Sequence, residues 1–130
     1  YLNISVHDPG PKGTNPDSIY RESIEIMTAA LPQAMEFMEQ HRRRKHNILV
    51  HCHAGYQRSA AIVAAYILKN CVIRLRRFGR IGCLRKSDPG LKKIKYNAVI
   101  DIMVTLRPGI FFGGKSVNFK EAILAFIDDL

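Results

Sequence analysis

Cys52 and Arg58 are the residues of this sequence with the clearest chemical potential, and five residues, including Gly55, separate them. A thiolate is a strong nucleophile, and the pKa of a cysteine falls where backbone N–H groups, a helix N-terminus or an arginine lie nearby. An arginine guanidinium presents a rigid fork of donors that matches two oxygens of a phosphate group. The pair therefore predicts nucleophilic attack by a cysteine on a bound phosphoryl group.

The residues on either side of this pair predict the elements that position it. The apolar run from Ile48 to Val50 is typical of a buried strand, and the small and branched residues from Arg58 to Lys69 are typical of a packed helix. A strand, a tight loop and a helix bring backbone N–H groups and the positive end of a helix dipole to one point, where an anion binds. The phosphate-binding loop predicted in this way consists of His53, Ala54, Gly55, Tyr56, Gln57 and Arg58. We expect the side chains of His53, Tyr56 and Gln57 to point toward the rim of this loop while their backbone N–H groups face the phosphate.

The pattern His51-Cys52, five further residues and Arg58-Ser59 resembles the active-site loop of cysteine-dependent protein phosphatases. The pair Ala54-Gly55 and the serine after the arginine make it most similar to the dual-specificity branch of the protein tyrosine phosphatase superfamily. The resemblance implies a metal-independent phosphomonoesterase that uses a phosphocysteine intermediate. No cofactor and no metal are expected, because loop amides and the arginine would supply the positive field.

The resemblance also implies the fold. We expect an α/β architecture with a central, mostly parallel sheet flanked by helices, and the active loop at the carboxyl end of the strand that ends at His51. Residues 1–130 would form a single phosphatase catalytic domain. Related domains have two further strands and a helix before the segment at Tyr1, so N-terminal elements are expected to be trimmed or missing.

Three further residues receive roles from the resemblance. Asp8 follows a segment of alternating apolar and polar residues and precedes Pro9. This position matches that of the aspartate that acts as general acid in the family. By itself, Asp8 could equally be a turn residue before proline. Ser59 matches the hydroxyl that bonds the cysteine sulfur and helps it leave the intermediate. His51 is expected to hold the loop and support the thiolate, although alone it could be a core histidine.

A phosphorylated protein is the predicted substrate, with phosphotyrosine and phosphoserine or phosphothreonine as targets. The alternatives that use the same loop are an RNA 5′-phosphatase and a phosphoinositide phosphatase, and Ala54, Gln57 and Ser59 count against both. A non-catalytic phospho-binding module would normally have lost the cysteine or the arginine. A redox sensor with Cys71 as the resolving partner of Cys52 would require the two sulfurs to approach each other.

The net charge and the cysteine content indicate possible partners and the cellular location of the protein. The net charge is +9, and an insertion around residues 71–96 carries a basic segment from Arg74 to Lys95 that could dock an acidic partner or RNA, or could simply be solvated surface. Three cysteines without zinc-site spacing favour a reducing intracellular location, cytoplasmic or nuclear. No run is apolar enough for a membrane span, and the first residues do not resemble a secretory signal. The oligomeric state is not predicted.

The rest of the chain predicts helices. Residues 15–45 suggest two helices, the first capped by Asp17 or Ser18 and the second with Pro32 in its first turn. Val72 to Leu75 could be a strand. Residues 97–106 have apolar residues at helical spacing, and residues 116–130 predict a final amphipathic helix capped by Ser116.

Overall fold

The computed structural model of the chain describes residues 1–77, 89–111 and 116–130, and the regular secondary structure within these ranges is helical. The helices are α1 (Asp17–Arg43), α2 (Arg58–Arg77), α3 (Pro89–Leu106) and α4 (Lys120–Asp128). Among these helices, none combines the length and hydropathy needed to cross a bilayer.

The prediction of an α/β fold with a central, mostly parallel sheet is wrong for the described part of the chain, which contains no strand. The alternating segment before Asp8, whose pattern predicts a half-buried strand, and the run from Ile48 to Val50, predicted as a buried strand, nevertheless both show burial with a period of two. Leu2, Ile4 and Val6 pack against the core while the residues between them are exposed, and Leu49 is 84% exposed between two apolar residues that pack inward. The alternation of side chains depends on local conformation, whereas a strand also requires backbone hydrogen bonds to a neighbour. The alternating pattern of residues 2–6 therefore predicts which of its side chains are buried without establishing a sheet, whereas the prediction that the whole run from Ile48 to Val50 is buried is wrong at Leu49.

Helix α1 is one helix of 27 residues that continues through Pro32, in place of the two predicted helices. A proline inside a helix costs about 3 kcal/mol because it removes a hydrogen bond and crowds the preceding turn. Leu31 and Met35 are almost completely inaccessible to solvent, so their packing offsets that cost. The helix begins after Pro16 without a side-chain cap, and the predicted cap Asp17 is its first residue.

Helices α2 and α4 form the centre of the packing, since each contacts the other three helices. The buried face of α2 carries small side chains, which allow neighbouring helices to approach closely. These residues are Ala60, Ala61, Ala64 and Ala65. Helix α4 contributes Ile123, and Phe119 directly before it is also fully buried. The helix that follows the loop is therefore packed against each of the other three helices.

The predicted insertion around residues 71–96 is helical at both ends, because α2 extends to Arg77 and α3 begins at Pro89. The strand considered for Val72 to Leu75 is thus part of α2. Residues 78–88, and with them the middle of the basic segment from Arg74 to Lys95, lie outside the described residues. Helix α4 begins at Lys120, later than predicted, and Ser116 is not its cap.

Candidate active site

Cys52 lies at the start of the loop that leads into α2, and its side chain is half-buried. Its thiol donates to the backbone oxygen of Tyr56 over 3.0 Å, and its Sγ lies 3.4 Å from Oγ of Ser59. The first backbone bond of the helix runs from the N–H of Ala61 to the carbonyl oxygen of Gln57 at 2.8 Å. The N–H groups of the first turn of α2 have no partner within their own helix, so they remain available at the loop.

The surroundings of Cys52 favour the ionised thiolate. Burial by itself raises the pKa of the thiol, but the hydrogen bonds from the Ser59 hydroxyl and from the backbone N–H groups of Ser59 and Gly55, together with the charge of Arg58, outweigh it. The pKa of Cys52 is therefore lowered. The bond to the Tyr56 carbonyl is available only to the protonated thiol, so ionisation gives up that bond while the donors stabilise the anion. Cys52 is thus a nucleophile at lower pH than an ordinary cysteine.

Replacing Ser59 by alanine tests this electrostatic environment. Ser59→Ala removes a donor to the thiolate, so we expect the pKa of Cys52 to rise and less thiolate to be present at acidic pH. Because hydrogen bonds to charged groups contribute about 1.5–3 kcal/mol, alkylation of Cys52 by iodoacetamide at acidic pH should slow by about tenfold or more. The alkylation rate is measured across pH in a background with Cys71→Ser and Cys83→Ser. An unchanged pH profile would remove Ser59 from the stabilisation of the thiolate.

The loop around the sulfur has two residues with positive φ. Gly55 has a φ of +71°, a left-handed conformation that glycine adopts without steric cost. A Cβ at this position would lie 3.5 Å from the guanidinium of Arg107, which also lies over the ring of Tyr56 at 5.8 Å from its centroid. Gln57 has a φ of +33°, which is unusual for a residue with a side chain. This loop conformation therefore depends on contacts with the rest of the fold.

Arg58 connects the loop to the N-terminal segment. Its side chain is half-buried, and Nη1 donates to the backbone oxygen of Val6 over 3.3 Å. Val6 stands two residues before Asp8. The structure therefore brings the segment that ends in the predicted general acid next to the loop that carries the predicted nucleophile.

Asp8 is linked to the loop by a second route. Its Oδ1 accepts from the N–H of Gly10 over 3.0 Å and from Nδ2 of Asn118 over 2.7 Å. The backbone N–H of Asn118 in turn donates to Oε1 of Gln57 over 2.8 Å, and Nε2 of Gln57 donates to the carbonyl oxygen of Ser116 over 2.9 Å. Gln57 is 2% exposed, so its side chain points into the protein and the expectation that it lies at the rim is wrong.

The remaining residues of the predicted site lie at the surface. His51, His53 and Ala54 are exposed, and Tyr56 is half-buried under Arg107. The described residues offer His51 no hydrogen bond, and its role in supporting the loop stays a prediction.

Asn118 was not among the predicted site residues. The signal available in the sequence is a single amide between two apolar residues, Val117 and Phe119, which are both buried. A buried amide normally has hydrogen-bond partners, so its position indicated a polar contact without showing which one.

The structure does not support Cys71 as a resolving partner for Cys52. Cys71 is exposed on α2, 13 residues after Arg58. At a rise of about 1.5 Å per residue this is about 20 Å along the helix axis, whereas disulfide-bonded residues have Cα atoms within about 7 Å.

Comparison with known proteins identifies the family. The family model described as dual specificity phosphatase, catalytic domain, matches residues 1–81, which is more than half of the chain and includes Asp8 and the whole loop from Cys52 to Ser59. No curated protein sequence and no solved structure matches the chain. The match agrees with the arrangement of a cysteine of lowered pKa and an arginine at the start of a helix. The chain therefore belongs to the family of dual specificity phosphatase catalytic domains and is a phosphatase of the protein tyrosine phosphatase superfamily.

Proposed function

We propose that this domain hydrolyses phosphotyrosine and phosphoserine or phosphothreonine in proteins through a phosphocysteine intermediate. The observation that carries the proposal is the set of donors around Sγ of Cys52: the Ser59 hydroxyl, two backbone N–H groups and the Arg58 charge, which together lower the pKa of the thiol. The same donors suit a phosphate anion bound next to the sulfur, because they converge at the N-terminus of α2.

In the first step the thiolate of Cys52 attacks the phosphorus of a bound phosphomonoester. A sulfur–phosphorus bond forms as the bond from phosphorus to the ester oxygen breaks, and that oxygen takes the electron pair. Arg58 and the loop N–H groups bind the non-bridging oxygens, whose charge they stabilise in the transition state. Asp8 donates a proton to the departing oxygen, which leaves as a neutral alcohol or phenol.

In the second step water attacks the phosphorus of the phosphocysteine. Asp8, now a carboxylate, accepts a proton from the water, and the sulfur–phosphorus bond breaks with its electrons returning to sulfur. The Ser59 hydroxyl, 3.4 Å from Sγ, stabilises the departing thiolate. Inorganic phosphate leaves, and Asp8 and Cys52 return to their starting protonation states.

Acceptance of both long and short phosphorylated side chains is supported by the position of the sulfur. Cys52 is half-buried, and His53 and Ala54 beside it are exposed. A sulfur near the surface is within reach of a short phosphoseryl or phosphothreonyl side chain as well as a phosphotyrosyl one. We therefore assign dual specificity to the site in place of a preference for phosphotyrosine alone.

The test is hydrolysis by the purified chain, with a thiol reductant and a metal chelator, of a small aryl phosphate and of matched phosphotyrosyl and phosphothreonyl peptides. We expect turnover of all three, and we expect vanadate, an analogue of the transferred phosphoryl group, to inhibit each in a parallel assay from which the chelator and the reductant have been removed. Turnover of the phosphotyrosyl peptide alone would overturn dual specificity. Turnover of an RNA 5′-triphosphate or a phosphoinositide in place of the peptides would move the same chemistry to another substrate.

A further inference from the structure

Gln57 is a buried amide in an unfavourable backbone conformation. Its φ of +33° is one that residues with side chains rarely adopt, and such a conformation persists where the surrounding structure holds it in place. Both ends of its side-chain amide are bonded to one short segment, at Ser116 and at Asn118. Gln57 therefore joins the loop before α2 to residues that lie about 60 positions later in the chain.

Asn118 extends this connection to the N-terminal segment. Its backbone N–H donates to Gln57, and its side-chain Nδ2 donates to Oδ1 of Asp8 over 2.7 Å. Asn118 is 6% exposed, and Phe119 beside it is fully buried, so the amide is fixed in orientation. The connection from Gln57 through Asn118 to Asp8 thus consists of short bonds that reinforce one another.

The bonds to Asp8 differ between its two carboxyl oxygens. Gly10 and Asn118 both donate to Oδ1, and in the described part of the chain no donor contacts Oδ2. When a carboxylic acid accepts hydrogen bonds on one oxygen, its proton resides on the other. This arrangement fixes the carboxyl plane and leaves Oδ2 to carry the proton that the leaving group needs.

We propose that Asn118, held by Gln57, is a positioning residue for the general acid Asp8, and that the Gln57–Asn118–Asp8 connection sets the carboxyl group relative to the loop that binds phosphate. This inference rests on the proposed function, because it assigns the orientation of Asp8 in that reaction. The positioning of Asp8 should affect the rate selectively. It should matter for substrates whose leaving oxygen needs a proton and have little influence on substrates whose leaving oxygen does not. Misplacement of a reacting group by about 1 Å costs about 10²-fold in rate.

The experiment compares Asn118→Ala with the wild-type domain on two aryl phosphates, phenyl phosphate with a poor leaving group and 2,4-dinitrophenyl phosphate with an activated one. We expect kcat/KM for phenyl phosphate to fall by about 10²-fold and that for the activated ester to change little. Asp8→Asn should show the same selectivity, with a loss of about 10²–10⁴ on phenyl phosphate. The double variant should be no slower than Asp8→Asn alone, because Asn118 acts through the carboxyl group of Asp8.

Lys12→Ala is the matched control. Lys12 bonds Glu121 over 3.0 Å at an exposed site, so it also ties the loop after Asp8 to the C-terminal part of the chain but does not touch the carboxyl group of Asp8. We expect this variant to hydrolyse both esters at wild-type rates. If Asn118→Ala does not fold, as judged by circular dichroism, Asn118→Ser replaces it, since this variant keeps the backbone bond to Gln57 and a polar side chain.

The outcomes separate the inference from the proposed function. If the wild-type domain hydrolyses both esters and Asp8→Asn is selective, but the Asn118 variant slows both esters equally or adds its full effect to that of Asp8→Asn, the positioning role is overturned. If the folded wild-type domain hydrolyses neither ester, the proposed function fails first. A selective loss of phenyl phosphate hydrolysis in Lys12→Ala would also overturn the assignment to Asn118, because any tie to this loop would then have the same effect.

Discussion

Cys52→Ser is expected to abolish turnover of every phosphomonoester by this domain. A serine hydroxyl is not ionised near neutral pH, and none of the groups that contact position 52 in the described residues is a base that could remove its proton. The Ser59 hydroxyl and the backbone N–H groups of Ser59 and Gly55 act as donors to the sulfur and therefore stabilise an anion. Loss of a covalent nucleophile reduces kcat by about 10⁶-fold in well-studied hydrolases, and we expect an effect of this order.

Binding should survive this substitution. The loop N–H groups and Arg58 remain in Cys52→Ser, so a phosphotyrosyl peptide should still bind, with an affinity measured by calorimetry that is similar to the KM of the wild-type domain. Cys71→Ser is the control, because Cys71 is exposed on α2 and far from the loop. Retained turnover in Cys52→Ser would exclude Cys52 as the nucleophile. Loss of peptide binding in a folded Cys52→Ser domain would show that the thiolate is also needed to organise the loop.

The part of the site that the sequence predicts well is local. Cys52, Ser59 and Gly55 fall within eight consecutive residues, and their mutual contacts follow from a loop that leads directly into a helix. The start of α2 at Arg58 agrees with the prediction because small and branched apolar residues follow it without interruption. Residues so close in sequence can be arranged in few ways, so the local sequence pattern is sufficient to predict their contacts.

The part that the sequence does not predict depends on residues distant in the chain. The bonds from Gln57 to Ser116 and from Asn118 to Asp8 span 59 and 110 positions, and no local pattern specifies them. The continuation of α1 through Pro32 has the same origin, because packing of the neighbouring residues overrides a local preference to break. The alternation in residues 1–8 predicts which side chains face inward but says nothing about a backbone partner. It was therefore not sufficient evidence for a strand in a sheet.

Arg58 is expected to contribute the second large effect. Arginine residues that stabilise phosphoryl-transfer transition states are worth about 10³–10⁵ in kcat, so Arg58→Ala should lose turnover on that scale. Arg58→Lys keeps the positive charge but not the planar fork of donors, and we expect it to recover only a small part of the rate. In contrast to Cys52→Ser, both Arg58 variants should bind tungstate, a non-reactive phosphate analogue, much more weakly than the wild-type domain.

Arg58 also donates to the Val6 carbonyl, so its replacement could lower turnover by releasing the segment that carries Asp8. The tungstate experiment must distinguish this structural role from a role in binding phosphate. A purely structural role predicts a lower melting temperature and an unchanged affinity of the folded protein for tungstate. A role in binding phosphate predicts the opposite: the affinity falls even at temperatures where circular dichroism shows the variant fully folded. Arg21→Ala, at an exposed position of α1, controls for the loss of one positive charge and should change neither quantity. Arg58 is half-buried and joins the N-terminal segment to the loop, so both roles are open to it. A lower affinity for tungstate with an unchanged melting temperature would show that the guanidinium binds phosphate and that its contact with Val6 contributes little to stability.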